Sequence, residues 1–121
     1  MVGQQQKDQA EKWFKDLRDK ICKEFETLET DHLKLFPTND MAPKRFEKKS
    51  TTRETGDKRD GGGGVMATLK GGRIFEKVGV NVSAVYGNLA PEAQKSITAR
   101  KSIPELKDDP RFWASGISLV A

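Results

Sequence analysis

The segment GGGGVMATLKGG, residues 61–72, places six glycines around one short apolar run. A glycine loop that cradles a phosphate has to follow a strand and open a helix, or to end in Gly-Lys-Ser or Gly-Lys-Thr. Here the charged sequence RETGDKRD precedes the glycines, and Gly71 and Gly72 interrupt the chain before a helix can form. The segment therefore predicts a tight turn into a β-sheet rather than a phosphate site.

The residues that follow have the pattern of a β-meander. Residues 65–70 predict one strand, and Gly71 with Gly72 predicts a two-residue hairpin turn, because glycine adopts positive φ without steric cost. Residues 73–77 are expected to return as the second strand. Residues 80–85 alternate in polarity and predict the third strand of an antiparallel sheet.

The alternation in the third strand predicts two different faces. Gly79 is expected to separate the second strand from the third. One face of the sheet should pack against helices, and the other should carry polar residues such as Asn81 and Ser83. Those polar residues either line a site or meet solvent.

Amphipathic helices are predicted on both sides of the meander. From Lys7 to Thr30, apolar residues recur at spacings of three and four among charged ones, as in a helix with one buried face. A second helix is expected over residues 90–101, where Pro91 stands in the first turn and Glu92 complements the helix dipole. The buried face of the first helix is predicted to contain Trp13, Phe14, Leu17, Ile21, Phe25 and Leu28.

The remaining segments connect or border these elements. Residues 31–43 predict a loop, because prolines and an Asn-Asp pair cluster there. Residues 44–52 predict a charged edge strand and residues 53–60 a charged turn. The apolar residues from Phe112 onward predict a final strand, and because the sequence stops inside it we expect a domain truncated at Ala121.

The charge pattern bears on whether the chain binds nucleic acid. The chain has 121 residues, enough for one domain, and a net charge of +4, but its 18 acidic residues are interspersed with 22 basic ones. Between Lys44 and Asp60 the only aromatic residue is Phe46, so this basic stretch lacks the stacking residues typical of single-strand binding. A solvated face is favoured, and no nucleic-acid partner is expected.

Cysteine and histidine usage limits the redox and metal chemistry. The single cysteine, Cys22, has no disulfide partner, which favours a reducing, cytoplasmic compartment. Cys22 and His32 together cannot supply a tetrahedral zinc set, whereas a carboxylate site for Mg or Mn stays open. We expect Cys22 to be a small buried or half-buried residue and His32 a surface or capping residue of the loop. Neither a signal-peptide pattern nor a membrane span of about 20 apolar residues is visible.

Three motifs carry a resemblance to a known family. They are the glycines 61–64, the run RIFEKVGVNVSAVYGNLAPEA at residues 73–93, and FWASGISLV at residues 112–120. Together they resemble the N-terminal portion of oxygen-dependent coproporphyrinogen III oxidases. The resemblance is firm over residues 44–121. It implies an α+β fold in which an antiparallel sheet is flanked by helices, as part of a larger single domain.

Within that domain, the resemblance and the sequence pattern together predict three successive parts. Residues 1–43 form a helix and a loop, residues 44–89 the β-meander, and residues 90–121 a helix, a loop and the final strand.

The resemblance also implies an activity. Enzymes of this family remove two propionate carboxyl groups of coproporphyrinogen III oxidatively and form protoporphyrinogen IX in haem biosynthesis. The implied partners are this substrate and a second copy of the chain in a homodimer. Molecular oxygen is the implied co-substrate, no organic cofactor is expected, and the metal requirement is open. The function would belong to the complete enzyme.

The resemblance assigns few residues of this chain. Ser118 falls where the family has a substrate-contacting serine, and no catalytic residue or metal ligand is expected before Ala121. Tyr86 stands where relatives often carry His, and the loop at residues 50–60 lacks their tryptophan. A hairpin that aligns with a dimer contact of the family comprises Thr68, Leu69, Lys70, Gly71, Gly72, Arg73, Ile74, Phe75, Glu76 and Lys77.

Two other classes of function stay open. The chain could be a catalytically inactive fragment or paralogue that acts as a dimerisation or tetrapyrrole-binding module. A basic nucleic-acid binder is the third hypothesis, and it predicts salt-sensitive binding to generic DNA or RNA.

Overall fold

The computed structural model describes residues 3–37, 42–56, 59–99 and 109–121. The strands form one antiparallel sheet in the order β1-β2-β3-β4, so each strand pairs with its neighbour along the chain. This confirms the predicted α+β class. The elements in chain order are α1 (Gln4–Leu35), β1 (Glu47–Glu54), β2 (Asp60–Lys70), β3 (Lys77–Asn88), α2 (Pro91–Thr98) and β4 (Arg111–Val120).

The helix α1 extends beyond the predicted helix at both ends. The prediction that a loop begins at Asp31 was wrong, because the helix continues to Leu35. No proline or glycine interrupts residues 4–36, so nothing ends the helix before Pro37. Proline disfavours helical backbone at the residue before it, and Phe36 accordingly has φ −131° and ψ 75°. His32 consequently lies in the last helical turn and not in a loop. Residues 38–41 of the predicted loop lie outside the described residues.

Only the middle of the predicted apolar face of α1 is buried against the sheet. Ile21 and Phe25 pack on the core, whereas Trp13 is 60% exposed and Leu28 is 47% exposed. The core itself lies between α1, β2 and β3. Its buried members are Cys22, Ala67, Leu69, Val78 and Val80.

The four glycines lie inside β2 and not before it, which corrects the expectation of a turn into the sheet. Gly62 has φ 90°, and a Cβ there would collide with the carbonyl oxygen of Ala84 in β3. A Cβ at Gly63 would collide with the carbonyl oxygen of Thr51 in β1. Glycine therefore lets β2 lie close to both neighbouring strands.

The connection between β2 and β3 differs from the predicted two-residue turn. It spans residues 71–76, and β3 starts only at Lys77 and continues through Gly79, so residues 73–77 do not form a separate strand. The backbone N–H groups of residues 73–75 donate to the carboxylate of Glu29 in α1 and are not available for strand pairing. The predicted strands 65–70 and 80–85 fall inside β2 and β3.

The other elements follow the predictions with shifted ends. β1 is an edge strand whose eight residues are all exposed, and it extends to Glu54, so the predicted turn begins later than Arg53. α2 starts at Pro91 in the first helical turn, while Arg100 and Lys101 lie outside the described residues. β4 begins at Arg111, next to the predicted Phe112.

Strand alternation gives the sheet two faces. On the helix face, Val78, Val80 and Val82 of β3 and Ile117 of β4 lie toward α1. The alternate residues form the outer face. These are the odd positions 47–53 of β1, the even positions 62–70 of β2, the odd positions 77–87 of β3 and the even positions 112–120 of β4.

Candidate functional site on the outer face of the sheet

Ser118 lies exposed on the outer face, near the end of β4. It pairs with Asn81 of β3, which pairs with Met66 of β2, and Met66 pairs with Lys49 of β1. We call these four residues the outer-face row. Because neighbouring strands lie about 4.8 Å apart, the row spans about 14 Å from Ser118 to Lys49. The predicted polar character of Asn81 and Ser83 on the face away from α1 is confirmed.

Small residues border this row and leave space above the sheet. Gly79 precedes Asn81 on the same face of β3, and Gly116 precedes Ser118 on the same face of β4. A Cβ at Gly116 would meet no described atom within 4 Å. A broad ligand could therefore approach the strands closely here, which bulky side chains would prevent.

The outer face is predominantly basic. Among the described positions of this face, one residue is acidic, Glu47. Four are basic, namely Lys49, Arg53, Lys70 and Lys77. Arg53 also donates from Nη1 to the carbonyl oxygen of Tyr86 at 3.0 Å. Such a face suits a ligand with several carboxylates, because lysine and arginine complement negative charge.

The hairpin predicted as a dimer contact lies at the C-terminal end of α1. Leu69 is fully buried and Phe75 packs on the core, with its ring 4.8 Å from that of Phe25. Thr68, Gly72 and Arg73 are half-buried, and Ile74 is 46% exposed. The residues of the hairpin that are exposed to solvent are Lys70, Gly71, Ile74, Glu76 and Lys77. That this segment contacts a second subunit stays a prediction.

A fully buried carboxylate, Glu29, holds the turn of this hairpin. It accepts the backbone N–H groups of Arg73 at 2.5 Å, Ile74 at 3.0 Å and Phe75 at 3.1 Å. Burial raises the pKa of Glu29, but the three N–H groups and nearby His32 outweigh it, so its pKa lies below the ordinary 4.5. Glu29 could not be found from the sequence, because its partners in the turn lie more than 40 positions away.

The side chain of Arg73 joins the turn to the end of α1. Its Nε donates to Nδ1 of His32 at 3.2 Å, and its Nη2 donates to the carbonyl oxygen of Phe36 at 2.6 Å. His32 is thus a half-buried acceptor in the helix, which corrects its expected position in a loop. A cation at the C-terminus of a helix also complements the helix dipole.

A cavity of about 740 Å³ lies at the opposite end of the sheet, near the start of α1. Tyr86, Phe112 and Trp113 contribute aromatic walls, and Lys7 Nζ lies 5.6 Å from the centre of the Trp113 ring. The Tyr86 hydroxyl donates to Oδ2 of Asp60 at 2.5 Å. In the sequence, Tyr86 stands out only as a departure from the family motif, and no local pattern indicates this cavity.

The hydrogen bond between Tyr86 and Asp60 shifts the pKa of both groups. It is the largest cause that lowers the pKa of Asp60, and the N–H of Gly62 adds to the effect. The same bond raises the pKa of Tyr86 above its ordinary 10.0. Both side chains are exposed, so the pair orders the rim of the cavity and is not part of the core.

The structure also places the other reactive side chains that the sequence singled out. Cys22 is buried, as predicted, and burial raises the pKa of its thiol, with Glu26 adding to the effect. In the described part of the chain, no three His, Cys, Asp or Glu residues group as metal ligands would. Within the same ranges, neither helix has the length and apolar character of a membrane span.

The sequence comparisons identify the family. The family model for coproporphyrinogen III oxidase matches residues 9–121. The chain belongs to the coproporphyrinogen III oxidase family. The oxygen-dependent coproporphyrinogen-III oxidase of Rickettsia felis is 44% identical over 115 residues, which are 95% of this chain and 36% of that protein. The Rickettsia peacockii enzyme is 43% identical over the same shares, and that of Rickettsia bellii is 38% identical over 99% of the chain and 38% of the protein.

The chain thus spans a little over a third of the length of these curated relatives. The match confirms the resemblance that the three motifs carry, and it lies in the N-terminal part of coproporphyrinogen III oxidases. No solved structure matches the chain significantly. The roles of Ser118 and of the hairpin stay predictions from the family motifs.

Proposed function

We propose that the protein containing this chain is an oxygen-dependent coproporphyrinogen III oxidase of haem biosynthesis, and that the outer face forms part of its substrate surface. The observation that carries this proposal is the family match over residues 9–121. The basic outer face supports it, because the substrate bears four propionates. We place the enzyme in the cytoplasm, in keeping with the single, unpaired cysteine of this chain.

The chemistry of the proposed reaction determines which contributions the protein has to make. At each of two propionates, the bond between the side chain and the carboxyl carbon breaks and CO₂ leaves. A hydrogen leaves the side-chain carbon attached to the pyrrole, and the two remaining side-chain carbons form a vinyl group. From each ionised propionate two electrons and one proton are released, and together with one further proton from solvent they would reduce one O₂ to hydrogen peroxide. The electron-rich pyrrole assists this oxidation, so no organic cofactor is required. The protein's main contributions are to orient the substrate and to exclude water.

The chain's own residues would bind and orient the substrate. The Ser118 hydroxyl would donate a hydrogen bond to a substrate carboxylate, and Lys49, Lys70 and Lys77 would attract the remaining carboxylates. We assign the catalytic groups to the part of the enzyme that has no counterpart in this chain. The chain would then be one portion of a larger domain, with residues 1–43, 44–89 and 90–121 as its successive parts.

Turnover of the purified protein tests this proposal. We expect the protein that contains this chain to convert coproporphyrinogen III to protoporphyrinogen IX in air and not under argon, measured by the fluorescence of the oxidised products. The isolated 121-residue chain should show no turnover. Turnover by the isolated chain would contradict the placement of the catalytic groups elsewhere. Absence of turnover in air by the complete protein would contradict the proposed activity.

A non-catalytic function is the second candidate, because the chain spans only about a third of its relatives. In that case the chain would bind tetrapyrroles or form dimers without turnover. Binding of coproporphyrin III without conversion of coproporphyrinogen III in air would favour this candidate. Salt-sensitive binding to generic DNA would instead favour the nucleic-acid hypothesis.

The predicted homodimer has its own test. Ile74 is 46% exposed in the hairpin, whereas Ile97 is 36% exposed in α2 and serves as the matched control. If the hairpin contacts a second subunit, Ile74→Asp should shift the molar mass in light scattering from dimer to monomer. Ile97→Asp should leave the dimer intact. A dimer that survives Ile74→Asp would contradict this contact.

A further inference from the structure

Asn81 lies directly opposite Ser118 in the antiparallel pair of β3 and β4, and both side chains are on the outer face. Directly opposite residues on one face have Cβ atoms about 5 Å apart. At that separation, an amide and a hydroxyl can bind the two oxygens of one carboxylate. Sequence reasoning and family motifs single out Ser118, whereas the strand register adds Asn81.

Within the described residues, both side chains of this pair are free of hydrogen bonds. Across residues 3–37, 42–56, 59–99 and 109–121, the side chains of Asn81 and Ser118 make no hydrogen bond. Ser115, on the opposite face of β4, differs in this respect, because its hydroxyl donates to the carbonyl oxygen of Ser83 at 2.9 Å. The Asn81 amide can donate two hydrogen bonds and the Ser118 hydroxyl one, so the pair is available to an anionic ligand.

The surroundings of the pair suit a carboxylate. The outer-face positions of β3 and β4, all of which the structure describes, contain no acidic residue. Lys49 lies in the same row, two strand spacings or about 10 Å from Asn81. Gly79 and Gly116 border the pair on the same face of the sheet. Because they have no side chains, a ligand carboxylate can approach the pair closely.

We infer that Asn81 and Ser118 together form a subsite for one propionate carboxylate of the tetrapyrrole substrate, in which the Asn81 amide donates to one oxygen and the Ser118 hydroxyl to the other. This inference rests on the proposed function. Lys49, at the other end of the outer-face row, faces a second carboxylate on the far side of the ring. Asn81 is then a substrate-binding residue that sets the orientation of the ring on the sheet.

Substitutions at Asn81 and Asn88 test the subsite. Asn88 is an exposed residue at the other end of β3, about 23 Å along the strand from Asn81, so Asn88→Asp adds the same charge away from the pair. The probe is coproporphyrin III, the oxidised form that carries the same four propionates, titrated by its fluorescence against the protein that contains this chain. Circular dichroism of each variant checks that the sheet is intact.

We expect Asn81→Leu to weaken coproporphyrin III binding about tenfold, because it removes hydrogen bonds to a charged group. Asn81→Asp should weaken it further, because two carboxylates would face each other. Asn88→Asp should bind like the wild type. The KM for coproporphyrinogen III should rise in the same order, with a smaller change in kcat.

Two results separate failure of the subsite from failure of the proposed function. If Asn81→Asp binds as tightly as the wild type or more tightly, the residue accepts a pyrrole N–H or does not touch the ligand, and the subsite is wrong while the function stands. If the wild type neither binds coproporphyrin III nor converts coproporphyrinogen III, the proposed function fails and the subsite fails with it.

Discussion

The helix face and the outer face of the sheet are made of alternate residues of the same strands, but they differ in almost every physical property. The helix face carries the fully buried Leu69, Val78 and Val80 and the partly buried Phe25 of α1 packs on it. The outer face carries glycines, short polar residues and lysines. The difference indicates that one face supplies most of the folding free energy, whereas the proposed substrate surface lies on the other.

Substitution of a glycine in β2 should have the largest effect on stability. It also shows that the outer face is not everywhere unimportant for folding. Gly62 belongs to the outer face, but Gly62→Val would place a β-branched side chain at φ 90° and against the carbonyl oxygen of Ala84. We expect the free energy of unfolding to fall by about 3–5 kcal/mol, measured by urea denaturation.

Gly116→Val is the matched control, because a Cβ at Gly116 meets no described atom within 4 Å. Its unfolding midpoint should stay close to that of the wild type. If Gly62→Val also unfolds like the wild type and still binds coproporphyrin III, the glycines are only a linker.

A second pair of substitutions compares the two faces within one strand. Leu69 is fully buried on the helix face of β2, and Met66 is 37% exposed on the outer face. Leu69→Ala should reduce the free energy of unfolding by about 2–5 kcal/mol, because it removes buried methyl groups and leaves a cavity. Met66→Ala should change it by less than about 1 kcal/mol. Equal losses in urea denaturation would mean that the outer face is also part of a core.

The periodic parts of the fold could be predicted from the sequence. Spacings of three and four located α1, alternation located the middle of β3, and charged residues marked β1 as an edge strand. Family motifs pointed to Ser118, whose role stays a prediction. All of these signals are local, and each depends on residues within a few turns of helix or a few positions of strand.

The parts that could not be predicted depend on contacts between distant segments. Glycine has a weak strand propensity, so the true start of β2 at Asp60 was invisible without the pairing of its glycines to Ala84 and Thr51. The turn at residues 71–76 takes its shape from Glu29, more than 40 positions earlier. Asn81 could be placed beside Ser118 only once the register of β3 and β4 was known.

Glu29 gives the third prediction, an effect of pH on the helix side of the sheet. Glu29→Ala would leave three backbone N–H groups of the turn without their acceptor, so we expect a loss of about 2–3 kcal/mol at pH 7. Because the pKa of Glu29 is lowered on folding, its stabilisation is complete above the ordinary 4.5 and disappears as the pH falls through the folded value.

The stability difference between wild type and Glu29→Ala should therefore shrink below pH 4.5 in urea titrations at several pH values. Glu26→Ala, a half-buried glutamate one helical turn earlier, is the matched control. A constant difference between wild type and Glu29→Ala from pH 7 to pH 3 would contradict the role of the ionised carboxylate.

The smallest effect is expected at the cavity end of the sheet, where Tyr86 and Asp60 meet outside the core. Tyr86→Phe removes the hydroxyl that most lowers the pKa of Asp60, so this pKa should rise while the remaining N–H of Gly62 keeps it below the ordinary 3.8. Asp60→Asn should in turn lower the pKa of Tyr86 toward 10.0. Tyr86 is the only tyrosine of these 121 residues, so absorbance of the isolated chain at alkaline pH measures its pKa directly, and carboxyl resonances in NMR measure that of Asp60. Because both side chains are exposed, either change should leave the melting temperature almost unaltered. A large drop in that temperature would show that this end of the sheet also stabilises the fold, and the contrast between the two faces would then be incomplete.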